Sequence, residues 1–265
     1  MELPVNQFKR AINSGKASYG LWMGLPDTIC AEIGASAGFD WLLIDAEHAP
    51  YSVRDVHDHL QAIAPYGVPA IVRPPEGRTA LLKQLLDVGA QSLLVPMVDT
   101  AEQARELVQA VRYPPEGIRG LGTSMARAAK WNRVDGYLTK ANAEICLIVQ
   151  AETTSAMANL AEIAATDGVD GVFIGPSDLS ASMGHIGNPG HPEVVEAIES
   201  GIATILAAGK AAGLLAVDEK LARHYVEKGV SFVGVGVDAS LLASATQQLA
   251  NRFIANSDSE TNPGY

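Results

Sequence analysis

Short apolar runs that recur at a near-regular interval constrain this chain more than any other feature. They are YGLWMG (19–24), WLLID (41–45), PAIVR (69–73), SLLVPMV (92–98), ICLIVQAE (145–152), GVFIGPSD (171–178), GLLAVD (213–218) and FVGVGVD (232–238). Each has the length of a strand, and a segment of helical periodicity separates most of them from the next. Their hydrophobicity is continuous rather than alternating. That is the signature of parallel strands covered on both faces, whose polar backbone is satisfied by neighbouring strands.

The intervening segments read as amphipathic helices. TALLKQLLDVGA carries Leu81, Leu82, Leu85 and Leu86 on one stripe, and TAEQARELVQAV opens on Thr100, a residue suited to cap a helix start. Gly213 and Gly229 fall where helices are expected to end. Eight βα units in one α/β domain spanning residues 1–255 predict a (β/α)8 barrel, the TIM-barrel architecture, with an open doubly wound sheet as the alternative. No GxGxxG follows the first strand, which weighs against a dinucleotide site. The long excursion at 112–142, rich in Gly, Arg and Pro, is expected on the functional face. The polar tail, 256–265, is expected to be disordered.

Composition narrows the function classes. With 48 % hydrophobic and 18 % charged residues among 265, a sizeable core is expected. A formal net charge of −11 disfavours nucleic acid and anionic membrane as partners. The two cysteines, Cys30 and Cys146, sit in apolar surroundings and read as buried free thiols. The N-terminal stretch is mixed polar, unlike a secretory leader, and no apolar run spans a bilayer; a cytoplasmic protein is expected.

The strand ends carry the chemistry. In WLLIDAEHAP, residues 41–50, a buried run delivers Asp45, Glu47 and His48 to one rim. Other ends add Trp22, Arg73, Gln150, Glu152, Ser177, Asp178, Asp218 and Asp238. In a barrel these lie together, because active sites form at the C-terminal ends of the strands. Glu152 and Asp178 follow neighbouring strands; two carboxylates without His or Cys suit a hard divalent cation, or each caps a helix or pairs with Arg. Ser177 and Asp178 open a helix whose free N–H groups suit a carboxylate, or whose start they simply cap. Arg73 suits an enolate or carboxylate oxygen, or an ion pair with a strand-end acid. His48 is placed to act as a general base, whereas His57 and His59 read as exposed and His185 and His191 show no ligand pattern. Asp87, at a helix end that disfavours its charge, hints at a cationic partner such as His48. No lysine falls within a predicted strand, and Lys220 lies in a polar helix start, so Schiff-base chemistry is disfavoured.

The stretches GFDWLLIDAEHAP, QLLDVG, LLVPMV, RYPPEGIRG, VQAET and GVFIGPSDLSASMG, in this order, resemble the HpcH/HpaI aldolases, the class II pyruvate aldolases, over about residues 5–253. The resemblance implies a barrel assembled as a hexamer, a dimer of trimers, with the last helix exchanged between copies. It implies Mg2+, Mn2+ or Co2+ held by Glu152 and Asp178, the ketoacid carboxylate received around Ser177 and Asp178, and an enolate oxygen stabilised by Arg73. It further implies proton transfer by His48 oriented by Asp87, Gln150 near bound pyruvate, Asp45 and Glu47 ordering metal-bound water, and Trp22, Leu121 and Leu215 as apolar walls. The implied reaction cleaves 4-hydroxy-2-ketoacids, such as 4-hydroxy-2-oxoheptanedioate, into pyruvate and an aldehyde such as succinic semialdehyde, within aromatic compound catabolism. The same pattern admits a 2-keto-3-deoxy sugar acid or hydroxypyruvate as substrate, a CoA ester, or a non-catalytic ligand-binding barrel. Asp218 has no assigned role.

Overall fold

A computed structural model describes residues 1–254. Eight parallel strands close into a barrel in chain order: β1 (Ser18–Met23), β2 (Trp41–Asp45), β3 (Ala70–Arg73), β4 (Ser92–Val95), β5 (Cys146–Ala151), β6 (Gly171–Ile174), β7 (Ala211–Leu215) and β8 (Phe232–Val237). Closure is direct, with Ser18 opposite Phe232 and Trp22 opposite Val237, which excludes the open sheet. The helices are α1 (Gln7–Ile12), α2 (Thr28–Ser36), α3 (Val53–Ile63), α4 (Thr79–Val88), α5 (Ala101–Val111), α6 (Tyr137–Lys140), α7 (Thr154–Ala158), α8 (Leu160–Ala165), α9 (Pro176–Ser182), α10 (Pro192–Ala207), α11 (Glu219–Glu227) and α12 (Asp238–Phe253).

Residue chemistry sets these boundaries. Thr100 caps α5 in a reciprocal box with Gln103, and Ser52 and Asp55 do the same for α3. β4 stops at Val95 because Pro96 has no N–H to donate to the ladder. Gly229 follows α11 with φ +101°, as expected of a C-terminal cap. Gly213 is no cap: it lies inside β7, and the left-handed glycine after α10 is Gly209.

Two cores follow from the period-two alternation of the strands. Outward residues such as Leu42, Ile44, Val72, Leu93 and Val149 pack beneath the helices. Inward residues, among them Trp22, Trp41, Leu43, Ile71, Leu94, Ile148, Phe173 and Phe232, fill the barrel. Phe8 of α1 plugs its lower end, edge-on to Trp41 at 5.9 Å and to Phe232 at 5.5 Å. Cys146 is buried, whereas Cys30 on α2 is only half-buried.

The 112–142 excursion does not reach the functional face. It joins α5 to β5, so it lies where helices end and strands begin. There Arg127 donates to the carbonyls of Val88 (3.1 Å) and Leu60 (3.4 Å), and Tyr113, Ala129, Val134 and Tyr137 form a small core of their own. Length marked the segment as unusual, but the direction of the connection decides which end of a barrel a loop occupies. Among the described residues no helix is long and apolar enough to cross a membrane. The tail expected to be disordered, 256–265, lies outside the described residues.

Candidate active site

Inward positions climb each strand in steps of two, from apolar to polar. Trp41, Leu43 and Asp45 ascend β2; Ile71 and Arg73 ascend β3; Ile148 and Gln150 ascend β5, with Glu152 one step beyond. Asp45 and Arg73 are register partners, as are Gln150 and Phe173. The polar groups thus enter one space over an apolar floor. A cavity of about 260 Å3 opens there, lined by Trp22, Asp45, His48, Arg73, Gln150, Ser177, Asp178 and Leu215, together with Phe173, Gly175, Pro176 and Val237.

Arg73 is the fixed point of this site. Its Nε donates to Asp45 Oδ1 at 2.9 Å and its Nη2 to Asp45 Oδ2 at 2.6 Å, while Nη1 pairs with Glu47 Oε2 at 2.8 Å. The guanidinium also stacks 4.9 Å from the Trp22 ring, whose Nε1–H donates to Asp45 Oδ2 at 3.0 Å. Burial pushes the Asp45 carboxyl up, but the Arg73 hydrogen bonds and charge, the Trp22 donor and the Glu47 amide outweigh it and hold the group below its ordinary value. Burial dominates at Glu47 and raises its carboxyl despite Arg73 and His48. The His48 imidazole is 66 % exposed and lies 3.8 Å from Glu47, free to meet a ligand entering from the rim.

Glu152 is buried under this group. Burial raises its carboxyl to about 7; the Met97 amide and the Gln150 side chain lower it, and the charges of Asp178 and Glu47 raise it again. The Met97 N–H donates to Oε1 at 2.9 Å from a left-handed backbone with φ +57°, and Gln150 Nε2 donates to Oε2. Gly175 makes room: a Cβ there would stand 2.5 Å from Glu152 Oε2. No side chain caps α9, so Ser177 and Asp178 stand in a first turn whose amides remain open to a ligand.

Four carboxylates, Asp45, Glu47, Glu152 and Asp178, thus stand close enough for their charges to interact, Arg73 is paired with the first two, and among the described residues the buried Gln150 Oε1 has no hydrogen-bond partner. An all-oxygen donor set with uncompensated negative charge fits a hard divalent cation and offers nothing to a soft one.

Not every expected residue joins the cavity. Asp87 ends α4, which runs back to the opposite end of the barrel, and accepts from Arg119 Nη2 at 2.8 Å; within one chain it does not reach His48. Leu121 is 65 % exposed in the same region, next to Gly122, where a Cβ would stand 3.9 Å from Asp87 Oδ2. Asp218 caps α11, accepting from the Leu221 amide at 2.9 Å. Asp238 bonds the amides of Gly24 and Leu25, tying the end of β8 to the loop after β1. His59 is buried rather than exposed, 3.2 Å from the Tyr51 hydroxyl, because it lies on the inner face of α3 with Val56, Leu60 and Ile63. Sequence reasoning missed Met97, Phe173, Gly175 and Val237. The period-two alternation would have found Phe173, but no residue pattern announces the left-handed backbone at Met97. A second cavity, about 300 Å3 at the lower end, gathers no comparable set of titratable groups around Arg127.

Fold and site together define a (β/α)8 barrel with strand-end carboxylates and one clamped arginine at its C-terminal mouth. The chain belongs to the HpcH/HpaI aldolase/citrate lyase family, which it matches over residues 18–245. It is 60 % identical over 253 residues to a hydroxypyruvate/pyruvate aldolase of Pseudomonas aeruginosa, covering 96 % of this chain and 94 % of the relative. It is 56 % identical over 248 residues to a 4-hydroxy-2-oxo-heptane-1,7-dioate aldolase of Escherichia coli, covering 94 % and 95 %. Among solved structures, an HpcH/HpaI aldolase/citrate lyase family protein from Burkholderia cenocepacia J2315 superposes with a TM-score of 0.89 at 40 % identity, covering 94 % of this chain and 99 % of that one.

Proposed function

We propose that this chain is a metal-dependent class II aldolase that cleaves 4-hydroxy-2-ketoacids to pyruvate and an aldehyde, reversibly, with 4-hydroxy-2-oxoheptanedioate and succinic semialdehyde as the reference pair. The observation that carries the reading is Arg73, clamped by Asp45 and Glu47 over Trp22 in the cavity that Asp178 also lines. A guanidinium has five N–H groups; two donate to Asp45, and Nη1 stands in an ion pair with Glu47. The N–H groups not donated to Asp45 can meet an enolate oxygen without reorganisation, which is where electrostatic catalysis gains most.

Glu152 and Asp178 would hold the cation, which supplies polarisation of the 2-keto group. The open amides at Ser177 and Asp178 would receive the ketoacid carboxylate, and Gln150, through its unpartnered Oε1, would accept from the substrate hydroxyl or a water beside it. Asp45 and Glu47 hold Arg73 in orientation and would accept hydrogen bonds from water on a bound cation. The exposed His48 imidazole takes the proton from the 4-hydroxyl as the C3–C4 bond breaks and the electron pair passes into the enolate; a proton returned to C3 then gives pyruvate, and in the condensation direction His48 gives its proton to the aldehyde oxygen. Trp22, Phe173, Leu215 and Val237 keep water from the enolate carbon.

Hydroxypyruvate as the enolate donor is a second reading, favoured by the name of the relative at 60 % identity. We further propose a homo-oligomer, consistent with a hexamer built as a dimer of trimers, in the cytoplasm. Asp87 and Leu121 lie together at the end of the barrel away from their own cavity, so they can serve a site only in a neighbouring copy.

The test is pyruvate release from racemic 4-hydroxy-2-oxoheptanedioate after EDTA treatment, then with Mg2+, Mn2+ or Co2+ restored. Activity should vanish with chelation and return with metal, and Glu152→Ala should abolish it without unfolding the chain. Activity indifferent to EDTA would overturn the carboxylate–metal assignment. Aldol addition to an aldehyde by hydroxypyruvate but not by pyruvate would favour the second reading.

A further inference from the structure

The loop between α9 and α10 gathers a group of ligands that the site above does not use. His185, His191 and Glu193 bring donor atoms within 4.8 Å of one another. His185 Nε2 lies 2.9 Å from Glu193 Oε2. The two imidazole rings stack, 3.6 Å between centroids at an interplanar angle of 14°. His191 Nδ1 accepts the Glu193 amide at 3.3 Å, which leaves its Nε2 as the free ring nitrogen.

We propose that His185, His191 and Glu193 form a second metal site, selective for a borderline divalent ion such as Zn2+, Ni2+ or Cu2+. The chemistry differs in kind from that of Glu152 and Asp178. Two imidazoles and one carboxylate favour late first-row metals, whereas an all-carboxylate set favours Mg2+ or Mn2+. In a tetrahedral zinc site with ligand bonds of about 2.0–2.2 Å, adjacent donors stand about 3.3 Å apart. The 2.9 Å already separating His185 from Glu193 is inside that span, and the two stacked rings, whose lone pairs lie in parallel planes, tilt out of the stack to bring both nitrogens to the ion. Glu193 supplies the negative charge that offsets the positive end of α10, which would otherwise oppose a cation at a helix start.

The position gives the ion a role. The His185 amide bonds Ser180 O at 2.7 Å and so belongs to the end of α9, while His191 caps α10 and Glu193 stands in its first turn. A bound ion would staple α9, whose first turn carries Ser177 and Asp178, to the start of α10. The site is structural: it holds the segment that carries the candidate active-site turn, and it touches no substrate.

The test uses full-length protein without a polyhistidine tag, stripped with chelator and saturated with Mg2+ before Cu2+ is added. Electron paramagnetic resonance should show one Cu2+ per chain with superhyperfine coupling to two imidazole nitrogens, since Glu152 and Asp178 offer none. In the His185→Gln/His191→Gln double variant the nitrogen coupling should disappear, and the upward shift of melting temperature that Zn2+ gives the wild type should disappear with it. Glu193→Gln, which keeps both rings, should retain the coupling but weaken the binding. A wild-type spectrum with oxygen ligands only, or nitrogen coupling that persists in the double variant, overturns the proposal.

Discussion

Asp45 shows how a single buried charge is made tolerable. It takes two hydrogen bonds from Arg73 and one from Trp22, and the amides of Glu47 and His48 complete its acceptor capacity at 3.1 and 3.3 Å. Removing one partner of a buried pair leaves the other uncompensated. Asp45→Asn should therefore destabilise the fold by about 3 kcal/mol at neutral pH, the low end for such pairs because Glu47 stays on Arg73. The folded Asp45 carboxyl ionises below its ordinary value of 3.8, so its contribution is fully present above that value and is lost as pH falls through the folded one. Urea unfolding followed by circular dichroism should show a constant gap between wild type and variant from pH 6 to pH 8, by this argument, and a narrowing gap below about pH 3.8. A gap that does not move with pH would assign Asp45 a packing role only. Gly175 tests the neighbouring carboxylate. In Gly175→Ala the new methyl would crowd Glu152 Oε2 at 2.5 Å and Glu152 Cβ at 2.9 Å. The carboxylate can rotate away but Glu152 Cβ shifts only with its backbone, so some stability should be lost along with a roughly tenfold rise in the metal concentration for half-maximal turnover. An unchanged metal dependence would mean that the Glu152 position does not matter to the cation.

At the scale of elements, the barrel depends on matching small and large inward residues between neighbouring strands. Gly20 on β1 yields to Trp41 on β2, and Gly213 on β7 yields to Phe232 on β8; a Cβ at either glycine would overlap the facing ring. Neither ring can retreat, because Phe8, Trp41 and Phe232 already pack edge to face. Gly213→Ala should therefore cost about 1–3 kcal/mol as an overpacked core, read as a lower melting temperature with activity kept at low temperature. Full stability would show that the inner layer has slack. The same strands explain how much could be read from sequence. Continuous apolar runs gave away eight parallel strands, and polar residues at the ends of those runs announced Asp45, Arg73 and Gln150. What stayed hidden depends on chain direction or on backbone conformation. Asp87 hinted at a partner such as His48, but α4 descends to the far end, so within the chain that partner is Arg119. His59 looked polar by its neighbours Asp58 and Gln61, yet helical phase turns it inward to Tyr51.

For the whole molecule, α12 is the element out of place. A helix after the last strand of a barrel ordinarily covers that strand and the first, yet none of the described residues of α12 is buried. Leu241, Leu242, Leu249 and Phe253 are 50–75 % exposed along it, and Ile29 and Ile33 of neighbouring α2 are each 65 % exposed. So many large apolar side chains on a net −11 chain are better satisfied by another copy than by water. The proposed assembly meets this need, and it also explains why Asp87 and Leu121 lie away from the cavity of their own chain. Sedimentation velocity should find the wild type as an oligomer, and Leu242→Glu with Leu249→Glu should shift it to smaller species. If Asp87 and Leu121 complete a neighbour's site, turnover should fall with assembly, while circular dichroism still reports a folded barrel. Assembly lost with activity intact would confine each site to one chain and leave Asp87 as no more than the counter-ion of buried Arg119. A wild type that sediments as a monomer would remove the oligomer itself.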